Sequence, residues 1–322
     1  MLVVGDNGVG KTNLLEALHV GTQGFSPRTR AEGQLVRFGE QAAAVELEVD
    51  RDDVTHRVRL ELSPGTAKVA ELDGTRLPSA EALRREFPTL VFTPDRLAVV
   101  KGGPAARRAY VDRVAGRLYP ARLVVPQDYA AALAQRNAAL RRVQLGLSSR
   151  DALAPWTERV ASLGAQLAEL RRDTVQALSS RFGERASELG LAGARLGYDV
   201  EPVTAAVLEA RVEQDLVRGS TGAGPHLDDV LVAAGDRELR SFGSQGEQRL
   251  AVLSLLLAEA ELLVCEPLLL LDDVLSELDS GRRRVLATRI AAMDQVVITA
   301  TQRSALPLEP TQVVEVTPGK AR

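Results

Sequence analysis

A chain of 322 residues, 45% of them hydrophobic, can bury a sizeable core and divide into a main and a smaller domain, which excludes disorder throughout. Its formal net charge of -3 says nothing directly about nucleic acid, because a basic face can sit on an acidic body, so charge has to be counted locally. One cysteine excludes an internal disulfide, three scattered histidines lack metal-ligand spacing, and neither a leader nor a run of ~20 apolar residues is found, so a cytoplasmic chain with no membrane partner is expected.

In chain order, residues 1–4 form a stub of apolar strand that runs straight into a glycine-rich turn, and residues 12–20 read as a helix. Residues 43–50 and 54–62 alternate with period two and predict strands, and a third follows at 68–72 between Pro64-Gly65 and Asp73-Gly74 turns. From about residue 96 the composition turns to Ala, Leu and Arg at helical spacing. It predicts a helix over 129–143, a turn over 145–152, and a second helix on which Trp156, Val160, Leu163, Leu167 and Leu170 share a face. This is a helical hairpin too short for a long coiled-coil arm. Beyond about 200 strands and helices return, with a helix over 249–263 and apolar strands at 267–271 and 296–299. Cys265, between apolar runs, reads as a buried small hydrophobe.

Three segments carry chemistry. Gly5-Asp6-Asn7-Gly8-Val9-Gly10-Lys11-Thr12 satisfies G-x-x-x-x-G-K-[ST] with an apolar strand before it and a helix after it. Such glycines let backbone N–H groups turn inward around phosphate oxygens. Lys11 would reach the β and γ phosphates, and Thr12 would offer its hydroxyl to Mg²⁺, so ATP and Mg²⁺ are the expected cofactors. The run Leu268-Leu269-Leu270-Leu271 predicts a central parallel strand with Asp272 and Asp273 at its carboxyl end, where α/β sheets bind ligands. Asp272 is then the metal residue, and Asp273, with Lys11, is catalytic, polarising the attacking water. The third segment, Ser241-Phe242-Gly243-Ser244-Gln245-Gly246-Glu247-Gln248, precedes an apolar helix and offers Ser244 and Gly246 as a second anion-binding helix start.

Together these segments resemble those of ABC-type ATPases, which implies that the Ser244 segment acts across a dimer. Ser276-Glu277-Leu278-Asp279 resembles the D-loop of that class and adds Asp279 to the nucleotide set. Thr299-Ala300-Thr301 occupies the place of its switch loop. GDNGVGKTNLLEAL, FTPDRLAVVKGGPAARRAYVD, GPHLDD, SFGSQGEQR and LLLLDDVLSELD resemble, in order, the successive motifs of the RecF family. The resemblance implies an α/β fold, an ABC-ATPase head with a mixed sheet, flanking helices and an inserted helical lobe. Residues 1–95 would be the N-terminal part of the head, 96–200 the arginine-rich lobe and 201–322 the C-terminal part. It also implies a homodimer that forms on ATP, hydrolyses it slowly, binds DNA at single-strand/double-strand junctions, and works with RecR and RecO to load RecA in repair and replication restart.

Two departures stand out. RecF-like chains ordinarily carry strands and an aromatic-containing turn ahead of the phosphate loop, so adenine packing and one sheet edge are expected to differ. Leu227 stands where the family usually has arginine.

Independently of the family, residues 101–185 hold Lys101 and 14 arginines against 7 acidic residues, a local +8 suited to phosphate-backbone contact. Arg107, Arg108, Arg136, Arg141 and Arg142 are the candidate DNA residues. Charge runs are also commonly solvated helix faces. Two other functions share these motifs: the ATPase subunit of a membrane transporter, and a DNA scaffold that keeps nucleotide without significant turnover.

Overall fold

The computed structural model describes residues 1–29, 31–51 and 53–322, except the side chains of Glu32, Glu81, Pro94, Asp95 and Glu277. Backbone contacts divide it into two compact units, residues 1–96 with 263–322, and residues 97–262. The second division thus falls at 262/263 rather than at the 200/201 read from composition. The Ser244 segment and its helix therefore share a unit with the helical lobe.

The first unit opens with β1 (Leu2–Val4), α1 (Lys11–Gln23), β2 (Ala43–Arg51), β3 (Val54–Leu62), β4 (Val69–Leu72), β5 (Thr75–Arg76), α2 (Leu83–Glu86) and β6 (Thr89–Phe92). The second unit contributes α3 (Ala98–Lys101), α4 (Pro104–Leu118), α5 (Val125–Gln144), α6 (Ala154–Glu188), β7 (Ala194–Gly197), α7 (Ala205–Ala210), α8 (Val212–Arg218), β8 (Leu231–Ala234), β9 (Arg237–Glu238), α9 (Leu239–Phe242) and α10 (Gln245–Leu262). The first unit then resumes with β10 (Leu268–Leu271), α11 (Ser280–Ile290), β11 (Val296–Ala300), β12 (Val313–Thr317) and β13 (Lys320–Ala321).

Among the described residues of the first unit, one sheet has the order β13-β12-β1-β11-β10-β6, parallel except for the β12/β13 pair. Because β12 pairs with β1 on the side away from β11, β1 is not an edge strand. Leu269, Leu270 and Leu271 are fully buried, as a strand with parallel neighbours on both sides requires. The second sheet, β2-β3-β4-β5, is antiparallel and keeps the predicted alternation. Leu60 and Leu62 point into a core with Val20 of α1, while Glu48 and Arg57, opposite one another in register, pair on the solvent side at 3.3 Å. Gly21 lets α1 approach this sheet, since a Cβ there would meet Leu47 Cδ1 at 2.6 Å.

In the second unit α6 is 35 residues long, roughly 52 Å at 1.5 Å per residue, twice what the Trp156–Leu170 stripe revealed. It packs against α4, α5 and α10. Tyr129, Val160, Leu163, Leu167 and Leu170 form the core of the hairpin. Cys265 is exposed, not buried: it sits in the connection between α10 and β10, where Val264 is exposed as well. Apolar runs flanking a residue do not bury it when they belong to two different elements.

Candidate nucleotide-binding site

The first unit converges its chemistry at the carboxyl ends of β1, β11, β10 and β6. Parallel register pairs Val91 of β6 with Leu270 of β10 and Leu270 with Val297 of β11, and these three share a buried cluster with Val3 and Leu15 of α1. Two residues further along each strand, on the same face, come Thr93, Asp272 and Thr299. Side chains with period two thus carry an apolar row under α1 and then a polar row where α1 begins.

The glycine-rich turn is shaped by close approach and by left-handed backbone. A Cβ on Gly5 would lie 2.5 Å from the carbonyl oxygen of Val316 on the neighbouring β12. Gly8 and Gly10 have φ of 83° and 111°, which L side chains rarely adopt. Asp6, Asn7 and Gly8 are exposed, and Val9 packs beside the buried cluster under α1. The Lys11 ammonium donates to the carbonyls of Gly5 at 2.7 Å and Asp6 at 2.9 Å, which leaves one of its three protons to a further acceptor. Thr12 Oγ1 donates to the Asp272 carboxylate, 2.9 Å from Oδ2.

Thr299 ties the row together. Its hydroxyl donates to Asp272 Oδ1 at 2.8 Å and accepts from the backbone N–H of Asp273 at 2.8 Å. That second bond holds Asp273 in a left-handed conformation, φ 50°, with its side chain exposed just beyond the buried Asp272. A threonine at a strand end is a weak signal in sequence; its partners identify it only after β10 and β11 are aligned. Thr93, on the other flank, lies in the FTPDRLAVVKGGPAARRAYVD stretch, where nothing about a threonine marks it as part of a site. Asp279 is the N-cap of α11: it accepts from Arg282 N at 2.9 Å, and that bond, more than any other influence, holds its carboxyl below the usual range. The Glu277 side chain of the same loop lies outside those described.

Ser244 and Gly246 belong to the second unit and are exposed at the start of α10. Ser244 Oγ accepts from Glu247 N at 3.2 Å while Glu247 accepts from Ser244 N at 2.8 Å, a reciprocal capping box that starts the helix at Gln245, four residues earlier than its apolar pattern predicts. The bond from the Ser244 N–H holds the Glu247 carboxyl below its ordinary value of 4.5. A carboxylate shifted down in the folded protein stabilises it above the ordinary value and loses that contribution as pH falls. Glu247→Gln, which keeps an acceptor and removes the charge, is therefore expected to melt lower than the parent at neutral pH. The gap should close on acidification below the ordinary 4.5; a gap constant with pH would show that the charge at the cap does not contribute.

The candidate DNA residues separate in the structure. Arg107, 2% exposed, makes a two-pronged pair with Asp229 at 2.7 and 2.6 Å, and its third nitrogen donates to Gly102 O. Arg136, 0% exposed, is held by Asp215 at 2.8 Å and Thr221 at 2.7 Å. Both expectations are corrected: these guanidinium groups hold the unit together and are not presented to a phosphate. Arg108 is half-buried and donates to Asp228 O, whereas Arg141 and Arg142 are exposed near the end of α5. The acidic partners of Arg107 and Arg136 lie downstream of residue 185. Over the whole unit, residues 97–262, 21 Lys and Arg stand against 20 Asp and Glu, so the local +8 falls to +1.

The Gly224–Asp229 segment, which carries Asp229, is itself anchored on several sides. His226 Nδ1 lies 2.8 Å from Tyr129 Oη, its Nε2 lies 3.1 Å from Thr221 O, and burial lowers its pKa. A carbonyl only accepts, so Nε2 carries the proton and Nδ1 takes the tyrosine O–H. Arg171 donates to Pro225 O and pairs with Asp112, and Tyr198 donates to Asp228. Leu227, between these anchored neighbours, is exposed.

The sequence matches the family described as RecF/RecN/SMC N terminal domain over residues 1–321. The DNA replication and repair protein RecF of Anaeromyxobacter dehalogenans is 40% identical to it, over 94% of this chain and 86% of that protein. RecF of Myxococcus xanthus is 37% identical over 94% and 85%. A solved structure of the recombination mediator protein RecF-ATP in the RecFOR pathway has a TM-score of 0.86 at 28% identity, covering 100% of this chain and 90% of that one. The Smc head domain from Pyrococcus furiosus, at 17% identity and a TM-score of 0.58 over 100% and 88%, shares the fold. With the family model and these relatives matching nearly the whole chain, the chain belongs to the RecF family of DNA replication and repair proteins.

Proposed function

We propose that this chain is an ATP-dependent switch of DNA repair: it binds ATP with Mg²⁺, dimerises around it, holds gapped or junction DNA, and hydrolyses ATP slowly to let go. The observation that carries the reading is the convergence of Lys11, Thr12, Asp272 and Thr299 at one end of the parallel sheet. The donor set suits Mg²⁺, which takes oxygen ligands and relies on one or two carboxylates plus substrate phosphates. Consistently, no group of three or more His, Cys, Asp or Glu side chains forms a metal cage among the described residues. Bound there, the ion would neutralise charge on the phosphates. Thr12 and Asp272 would hold it, Lys11 and the inward N–H groups would fix the phosphates, and the exposed Asp273 would orient the attacking water. ATP titration with and without Mg²⁺, using Lys11→Ala as the control, tests this. Equal affinity in the variant would remove the loop from the site.

DNA contact in this reading rests on Arg141 and Arg142, with the half-buried Arg108. Each phosphate neutralised on duplex contributes about -0.9 to the slope of log affinity against log salt, so replacing Arg141 and Arg142 with alanine is expected to flatten it by about one to two units. The fold should be untouched. Arg136→Ala is expected to do the reverse, lowering stability by about 3–5 kcal/mol because Asp215 is left buried without its partner. Salt-dependent binding and melting of the two variants check the division. An unchanged slope in the double variant would favour a protein partner for that helix. RecR, RecO and RecA are the partners this reading implies, and the pathway named for the RecF-ATP structure supports the first two.

No helix among the described residues is long and apolar enough to cross a membrane.

A further inference from the structure

Among the described residues, the polar row at the end of the first sheet has one member without a hydrogen-bond partner. Asp272 accepts from Thr12 and from Thr299, and Thr299 accepts from Asp273 N. On the opposite flank stands Thr93. Phe92 pairs with Leu271 in parallel register, and Asp272 N donates to Phe92 O at 3.0 Å, so the next residue of the β6 chain lies beside Asp272. Period two from Val91, which faces the α1 cluster, puts the Thr93 side chain on the face that carries Asp272 and Thr299. Thr93 is 4% exposed, and its Oγ1 is buried with no hydrogen-bond partner among the described residues.

A hydroxyl in that state costs stability, since a buried polar group without a partner loses its water and gains nothing in return. Valine would fill the same β-branched space with no such cost. The hydroxyl therefore needs a reason outside the resting fold, and the groups beside it supply one. Of its neighbours in the row, Asp272 would hold the metal in the reading above, on which this inference rests, and Thr299 holds Asp272 in place. Mg²⁺ dehydrates reluctantly and keeps several waters, and those waters need acceptors and donors around them.

We propose that Thr93 is a positioning residue of the nucleotide site, whose hydroxyl holds a Mg²⁺-bound water on the flank of Asp272 opposite Thr299. It acts through that water, accepting its proton-side hydrogen bond and donating its own to the phosphate side or to the carboxylate. Thr12 and Asp272 would then reach the ion directly and Thr93 only through water.

The test uses the full chain and the slowly hydrolysed analogue ATPγS. In Mg²⁺, Thr93→Val is expected to bind it about tenfold more weakly than the parent, the worth of one well-made hydrogen bond. In EDTA the two should bind alike. Thr93→Ser, which keeps the hydroxyl, should restore the parent's Mg²⁺ dependence. The nucleotide-free Thr93→Val chain should melt no lower than the parent, because the unpartnered group is gone; if extra bulk lowers it, Thr93→Ala repeats the comparison without that bulk. A merely structural threonine would move melting and leave the metal dependence alone. Thr93→Val or Thr93→Ala with the parent's Mg²⁺ dependence overturns the proposal. A parent chain that binds ATPγS equally with Mg²⁺ and EDTA instead overturns the ATP·Mg²⁺ reading of the whole site.

Discussion

Asp273→Asn is expected to retain ATP while losing about 10²- to 10⁴-fold in steady-state hydrolysis, the range for removing a positioned general base. The structure makes the substitution a clean one. Asp273 sits at φ 50°, a left-handed conformation that Asn adopts as readily as Asp, and its N–H to Thr299 is a backbone bond that the change does not touch. Alanine would add backbone strain to the chemical loss and confuse the two. Asp272→Asn, by contrast, alters a buried carboxylate that accepts from both Thr12 and Thr299, and it should weaken Mg²⁺-dependent nucleotide binding itself. Filter binding of ATP beside phosphate release separates the outcomes. Near-parental turnover in Asp273→Asn would remove that carboxylate from the reaction.

Ser244→Asp is expected to abolish ATP-driven dimerisation while leaving ATP binding by each chain intact. Two features of Ser244 set this up: it is exposed, and it caps α10 through Glu247. Aspartate caps as well as serine, so the helix start should survive where alanine would forfeit about 1 kcal/mol. What changes is that a neutral hydroxyl able to donate to an anion becomes a negative charge that can only accept. A γ-phosphate shared by two chains stabilises only the dimer, and occupancy therefore shifts association by mass action. An added carboxylate in that contact reverses the attraction. Sedimentation of parent and variant with ATP and with ADP reads this directly. A variant that still dimerises on ATP would show that Ser244 does not face the nucleotide of a second chain.

Much of the local architecture was legible in the sequence because it rests on short-range rules. The G-x-x-x-x-G-K-T spacing between strand and helix fixes the loop through glycine backbone freedom. The alternation over β2 and β3 fixes one solvated face, and four consecutive leucines need neighbours on both sides. The Asp272-Asp273 pair followed from the end of that strand. The family motifs then ordered the pieces.

Tertiary structure decided which like residues do unlike work. Arg107, Arg136, Arg141 and Arg142 are one residue type on one arginine-rich stretch, and nothing in their spacing says that the first two are buried against Asp229 and Asp215, both far along the chain. Charge counted over a sequence window misses a counter-charge that only folding brings within hydrogen-bond distance, which is why +8 becomes +1 over the compact unit. Cys265 shows the same limit for burial, since apolar neighbours in sequence belonged to separate elements. Thr93 and Thr299 show it for chemistry: two hydroxyls and the Asp272 carboxylate, each at the end of a different strand, acquire meaning from parallel register, which sets them side by side though far apart in the chain. By itself the sequence determined the loop, the strands and the family, because those depend on contiguous residues; the polar row and the fate of each arginine depend on long-range pairing, and only the folded chain decides them.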